Sequence, residues 1–281
     1  MGQFNLGVAI SEEVLGERSP VVFQSGVLEG MQEASDLGFG SVELHVRDPH
    51  SLDARTIRRH AQDLGLRVSA IGTGLENVLN GHCLTHDDPA RRFDAREAMM
   101  RHIDFAAELD SVVIIGLIRG DAGQIARVPD KLKILADELR PLAAAAQEAG
   151  VATGLEPMAY YCSDMLNTAR ETTRFLEEND LGSMGIMLDT HHMFLQDPGA
   201  GQAILEVGPR LTHVHASDSN RRYPGAGNVD FHEVCQALTA IGYNGSLSLE
   251  VLPWPDPATA ASRGLAELQR CVESVTAKAE A

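Results

Sequence analysis

Glu156, Asp189, His215 and Glu250 are the residues of this chain whose types and positions point most directly to chemistry. Each closes a short apolar run: GLE to 156, GIMLD to 189, LTHVH to 215 and SLSLE to 250. A lone ionised carboxylate at the end of a buried run is costly unless it is paired or bound to a cation. Taken one at a time, each reads equally well as a strand-end group that makes a salt bridge or caps the next helix. Taken together, three carboxylates repel one another unless a positive charge sits among them. A divalent metal is the economical answer. Three oxygens and one imidazole nitrogen suit Mn²⁺, Mg²⁺ or Co²⁺ better than a thiophilic ion, and Zn²⁺ is also compatible.

These four residues meet only if the elements that carry them are arranged around one axis. Short β-rich runs at 5–10, 41–46, 67–72, 111–118, 151–156, 184–189, 211–216 and 246–251 alternate with amphipathic stretches, giving eight strand and helix units. The helical spacing of Val27, Leu28, Met31, Ala34 and Leu37 shows the pattern. Further helices are expected near 53–64, 89–109, 129–150, 168–179, 200–207, 231–242 and 258–278. Pro129 suits a first helical turn and Gly150 a stop. Strands this apolar are buried on both faces, and eight βα units in one chain of this length fit a closed (β/α)8 barrel, an α/β TIM barrel in one domain over residues 1–281. An open doubly wound sheet is the rival, but no GxGxxG follows the first strand. In a barrel, catalytic groups stand at the carboxyl ends of strands, where strands five to eight end in Glu156, Asp189, His215 and Glu250.

Composition narrows the function classes. The 281 residues are 44% hydrophobic and 22% charged, ordinary for a globular enzyme with a large core. A net charge of -17 opposes nucleic acid. Cys83, Cys162, Cys235 and Cys271 lie far apart with no CxxC pair, which fits reduced thiols. No run approaches the ~18 apolar residues of a membrane span, and MGQFNLGVAISEEVLG carries no basic leader, so a cytoplasmic protein is expected.

GLEP, GIMLDTHHMF, HVHASDSNRRYPGAGNVDF and SLSLEV together resemble the xylose-isomerase-like, sugar phosphate isomerase/epimerase superfamily, and within it the D-tagatose 3-epimerase-type ketose 3-epimerases. The steps of 33, 26 and 35 residues between the four residues look like that family's ligand spacing. The resemblance covers the C-terminal half in motif detail and the N-terminal half in architecture. It implies a mononuclear metal site of Glu156, Asp189, His215 and Glu250, most often with Mn²⁺, in which both glutamates also exchange protons with substrate through a cis-enediolate. It places His192 and Arg221 against substrate oxygens, and it implies a homodimer or homotetramer. The chemistry is coherent on its own terms, because a C–H beside a carbonyl becomes acidic enough for a carboxylate only when a cation holds the carbonyl and hydroxyl oxygens.

Where ketose 3-epimerases carry an acidic residue that helps hold the sugar's terminal hydroxyl, six positions after the strand-five glutamate, this chain has Cys162, so the substrate end of the pocket differs. Glu43, His45 and Arg47 in VELHVRD, with Arg119 in GLIRGD, are candidates for substrate contacts or a phosphate clamp, Arg119 being also a natural salt-bridge partner. Trp254 either walls the pocket or packs beneath its Pro-rich loop. His86 reads as a loop residue, and Asp230 and His232 as the start of a helix. His213 is expected on the side of its strand opposite His215. PGAG at 224–227 reads as a turn that aims Arg221 and Arg222. Two other activities fit the same scaffold: a lyase that eliminates the aglycone of a 3-keto-glycoside, and, more remotely, a DNA repair enzyme of the endonuclease IV type.

Overall fold

The computed structural model describes residues 4–279. Eight parallel strands close into a barrel in sequence order: β1 (Asn5–Ser11), β2 (Ser41–His45), β3 (Arg67–Gly72), β4 (Val112–Ile115), β5 (Thr153–Leu155), β6 (Gly185–Asp189), β7 (Leu211–Ala216) and β8 (Ser246–Leu249). β1 pairs with β8 through Asn5 opposite Ser246, which seals the ring and leaves no sheet edge. The α/β barrel expected from the alternation of strand and helix is therefore formed. Glu156 and Glu250 stand one residue beyond their strands. The backbone N–H of Glu156 still donates to Ile115 O at 3.1 Å, so the strand ladder orients it.

Helices ring the barrel: α1 (Val27–Leu37), α2 (Ala54–Leu64), α3 (Gly74–Val78), α4 (Pro89–Leu109), α5 (Val128–Ala149), α6 (Ala169–Glu178), α7 (Thr190–Gln196), α8 (Ala200–Val207), α9 (Phe231–Ala240) and α10 (Pro257–Ala279). Their ends follow local chemistry. Asp53 accepts from Arg55 N at the start of α2, Thr168 and Glu171 form a capping box on α6, and Asp230 caps α9 through His232 N and Glu233 N, the helix-start role expected of it. Left-handed Gly65 and Gly150 end α2 and α5. The short helices α3 and α7 lie inside stretches that sequence periodicity leaves as loop. At five and seven residues they are too brief to show a hydrophobic stripe, and both flank the mouth of the barrel.

The main core includes Ile10, Leu44, Ile71, Ile115 and Leu188, all fully buried, and Ala70 on β3, Ile114 on β4 and Met187 on β6 form a small separate apolar cluster. No helix among the described residues is long and apolar enough to cross a membrane.

Candidate active site

At the carboxyl end of the barrel the strands present a cluster of buried ionisable groups under a cavity of about 720 Å³. Glu156, His192, His215, Arg221 and Glu250 line it, and Asp189 is fully buried beneath them. Ligand atoms of Glu156, Asp189 and His215 lie within 4.8 Å of one another. His215 Nδ1 is 3.4 Å from Glu250 Oε2 and 3.7 Å from Asp189 Oδ2, yet it is buried without a hydrogen-bond partner. The four residues that open the sequence analysis are thus brought together.

Each side chain has a local reason for its position. Asp189 divides its carboxylate: Oδ1 accepts from His191 N at 2.7 Å and so caps α7, while Oδ2 faces His215 and the Arg221 guanidinium. The helix-cap role open to it in sequence is filled by Oδ1 alone, and Oδ2 is left to the charged groups of the cavity floor. Glu156 packs against Gly116, where an added Cβ would come within 2.4 Å of Glu156 Oε2. A side chain at 116 would displace the carboxylate from this position.

His215 is held from behind by Glu43. Its Nε2 lies 2.8 Å from Glu43 Oε2, and His213 Nε2 meets the same oxygen at 2.8 Å. His213 therefore points to the same side of β7 as His215, contrary to the expectation, because residues two apart on a strand share a face. Charge from His215, with hydrogen bonds from both histidines, keeps Glu43 ionised, well below the usual carboxylate range, even though complete burial pushes it upward. As an acceptor only, Glu43 requires a proton on His215 Nε2. Burial opposes a charged imidazole, but Glu43 and Glu250 hold His215 protonated well above its ordinary range, so Nδ1 would serve a cation by giving up its own proton. His45 Nε2 stands 2.9 Å from Glu43 Oε1, in contact but out of line for a hydrogen bond, and lines the cavity.

The field in this cluster attracts positive charge. Burial pushes Glu156 up to about 8, and the neighbouring Glu250 and Asp189 push the same way. Burial opposes the ionised forms of Asp189 and Glu250 too. Arg221 holds Asp189 well below its ordinary range, and His215 followed by Arg221 lowers Glu250. Burial drives His192 down to about 4, so this imidazole is neutral at physiological pH. Three buried carboxylates, an orphaned imidazole nitrogen aimed among them and a supporting carboxylate behind the histidine make a donor set that fits a hard or borderline divalent cation. Glu43, His213 and His215 also lie close enough to hold an ion, but their facing atoms are hydrogen-bonded to one another.

Arg221 is aimed by its loop. Asp218, fully buried, accepts from Ser219 N (2.7 Å) and Val229 N (3.0 Å) on one oxygen and from Gly225 N (2.9 Å) and Gly227 N (2.8 Å) on the other. The 218–229 loop is wound around this carboxylate, and PGAG supplies its turn. Arg221 adopts a left-handed φ of 62°, unusual for a residue with a side chain, and its guanidinium spans Asp189 and Glu250. His191 ties the rim together, its Nε2 2.7 Å from Tyr161 Oη and its Nδ1 3.1 Å from Asp218 O.

The remaining candidates divide. Cys162 lines the cavity. Arg47 does too, but it is paired with Glu13 at 3.3 Å. Arg119 is fully buried outside the cavity, donating to Met165 O at 2.7 Å and Leu166 O at 3.4 Å; it orders the segment between β5 and α6 and is neither salt-bridged nor poised for substrate. Arg47 and Arg119 form no phosphate clamp. Trp254 is half exposed and absent from the cavity wall, its ring beneath the Arg222 guanidinium at 3.6 Å. His86 accepts from Asp88 N in the loop before α4. Sequence reasoning gave Asp218 no role and assigned Glu43 only to substrate contact. The signal available for Asp218 was an acidic residue just before a glycine-rich turn dense in backbone N–H groups.

Comparison with known proteins agrees with this geometry. Residues 31–271 match the family model described as xylose isomerase-like TIM barrel. A ketose 3-epimerase of Arthrobacter globiformis is 31% identical over 228 residues, covering 80% of this chain and 77% of the relative. A 3-dehydro-D-guloside 4-epimerase of Escherichia coli K12 is 26% identical over 270 residues, 92% of this chain and 99% of the relative. The solved structure of an L-ribulose 3-epimerase superposes with a TM-score of 0.85 at 28% identity, covering 99% of this chain and 97% of that one. The chain belongs to the xylose isomerase-like TIM barrel family, among its ketose 3-epimerase-like sugar isomerases.

Proposed function

We propose that this chain is a divalent-metal-dependent sugar epimerase or isomerase of the ketose 3-epimerase type, acting in the cytoplasm as a homodimer or homotetramer, with one barrel domain accounting for residues 1–281. Residues 1–3 and 280–281 of that span lie outside the described structure. The observation that carries the reading is the meeting of Glu156, Asp189, His215 and Glu250 at the floor of one cavity. Glu156, Asp189, His215 through Nδ1 and Glu250 would hold the cation, with Mn²⁺ the leading choice and Mg²⁺, Co²⁺ or Zn²⁺ compatible with the donors. When bound, such an ion supplies Lewis acidity that lowers the pKa of a C–H beside a carbonyl.

Glu156 and Glu250 rise from β5 and β8, separated around the barrel by β6 and β7, so they approach a substrate from different walls. One carboxylate takes the proton and the other returns one to the opposite face. Arg221 presents a fixed positive charge to the developing enediolate oxygen, and neutral His192 offers a hydrogen bond to a substrate hydroxyl without adding charge.

The test is exchange of a substrate C–H with D2O, followed by NMR on Mn²⁺-loaded protein with a panel of ketoses, ketose phosphates and 3-keto-glycosides. Glu156→Gln and Glu250→Gln should keep metal and each lose roughly 10² to 10⁴ in exchange rate, the usual cost of a positioned acid or base. Asp189→Asn should instead weaken metal binding, with partial rescue by excess Mn²⁺. His192→Ala and Arg221→Ala should retain metal and use substrate poorly. Two glutamine variants that are fully metallated and as fast as the parent would overturn the two-glutamate mechanism.

A second reading keeps the same site and changes the substrate to an oxidised glycoside, whose aglycone would be eliminated after proton abstraction. Its substrate, though not the elimination step, is favoured by the end-to-end alignment with the E. coli relative, which is named as a 4-epimerase of a 3-dehydro guloside. Product analysis on the 3-keto-glycoside arm of the same panel separates epimerisation from elimination.

A further inference from the structure

The cavity has two unlike ends. Its floor is polar, but its outer wall is built from Val14, Leu15 and Val21 of the loop after β1 and from Leu75, Val78 and Leu79 in and beyond α3. Val14 is 84% exposed, Val78 61% and Leu79 44%. Single exposed apolar side chains are unremarkable on a protein surface, but a group of them walling the mouth of a ligand cavity marks a binding surface. The charges at this end are largely accounted for: Arg47 pairs with Glu13 at 3.3 Å and donates to Asn80 Oδ1 at 3.0 Å, and Arg18 is exposed to water.

Size points the same way. At the ~30 Å³ that a water molecule occupies in the liquid, 720 Å³ is room for about two dozen waters, more than a free hexose would displace. A bare sugar seated on the carboxylates would leave the apolar wall in contact with water. On the β5 side, Met158, Tyr161 and Cys162 face the cavity and none of them is a carboxylate that would grip a further hydroxyl.

We infer that the outer end of the cavity binds an apolar substituent of the substrate, so that the preferred substrate is a sugar derivative bearing an alkyl or aryl group, as in a glycoside, rather than a bare ketose. This rests on reading the cavity as the substrate site and, of the two readings above, sides with the oxidised glycoside, whose carbonyl lies in the ring and leaves the anomeric oxygen to carry the apolar group. The wall is continuous with that site, and this continuity favours a group carried by the substrate over a side chain from a second copy of the chain.

The experiment is calorimetric titration of the whole Mn²⁺-loaded protein with methyl, n-butyl and phenyl β-D-glucopyranosides and β-D-galactopyranosides. A buried methylene is worth about fourfold in affinity, so butyl and phenyl should bind tens of fold more tightly than methyl in at least one sugar series. Val78→Asp and Leu79→Asp should bring the butyl-to-methyl ratio toward one. Because the ratio is taken within each protein, a general loss of binding cancels. A flat series in the parent protein, including one caused by a second copy sealing the mouth, overturns the inference, and so does failure to bind any of these glycosides at millimolar concentration. Binding does not require turnover, so failure of the epimerase reading is seen separately, as absent C–H exchange in a protein whose glycoside affinities still rise with the apolar group.

Discussion

At the scale of single residues, the site depends on groups that act through other side chains. Glu43 touches His213 and His215 with one oxygen and fixes which nitrogen of His215 is offered to a cation. Removing a carboxylate behind a metal-binding histidine typically costs 10- to 100-fold in metal affinity. Glu43→Gln should therefore weaken Mn²⁺ binding by about that factor, measured by competition with a chelating dye. An unchanged affinity would mean that His215 is oriented by packing alone. His213, His215 and Glu43 were all visible as residues in the sequence, but the sharing of one Glu43 oxygen by the two histidines was not. Glu43 and His215 are 172 positions apart, and no local pattern links strands two and seven.

At the scale of elements, loops and caps set both aim and stability. The loop wound around Asp218 holds Arg221 in a left-handed conformation over two carboxylates. Asp218→Ala removes the acceptor for four backbone N–H groups. It should lower kcat/KM for the preferred substrate by at least tenfold while metal content stays at the parent level; a parent-like kcat/KM would show that Arg221 finds its place without the loop. A second element junction is pH-sensitive. Asp197, just after α7, accepts from Ala169 N at 3.1 Å, and burial, aided by Glu206 and Glu171, raises its carboxyl to about 6 from an ordinary 3.8. Below about pH 4 this group is protonated in folded and unfolded chains alike and carries no penalty. As pH rises through 6 the folded state must hold it ionised, and that part of the stability is lost. Asp197→Asn keeps an acceptor and does not titrate. It should raise the stability above pH 6 by on the order of 1 kcal/mol, after discounting for partial exposure, with the difference from the parent vanishing near pH 4 in denaturant titrations.

At the scale of the whole molecule, the barrel gathers charge that its strands could not carry separately. Burial disfavours Glu156, Asp189 and Glu250 as ions, and their partners come from other strands and loops. A cation bound only by the native state would stabilise the entire chain by mass action, about 2.7 kcal/mol at a hundredfold excess over Kd. EDTA treatment should accordingly lower Tm by several degrees, with Mn²⁺ or Co²⁺ restoring it in a concentration-dependent way; identical melting curves with and without chelator would remove the metal from the account.

Sequence by itself determined the alternation of strand and helix, the closed barrel it implies, and the four residues at the ends of strands five to eight, because period and strand-end position are local properties that survive without coordinates. It also carried the turn at PGAG and the cap at Asp230, whose chemistry lies within a few residues. Tertiary structure decided what each polar group faces. It set Arg119 on backbone carbonyls, Trp254 under Arg222, His213 beside His215 on Glu43, and an apolar wall from α3 above a polar floor. Those outcomes depend on which strands become neighbours across the barrel and on how loops of different strands meet at its mouth, distances that a linear pattern does not contain.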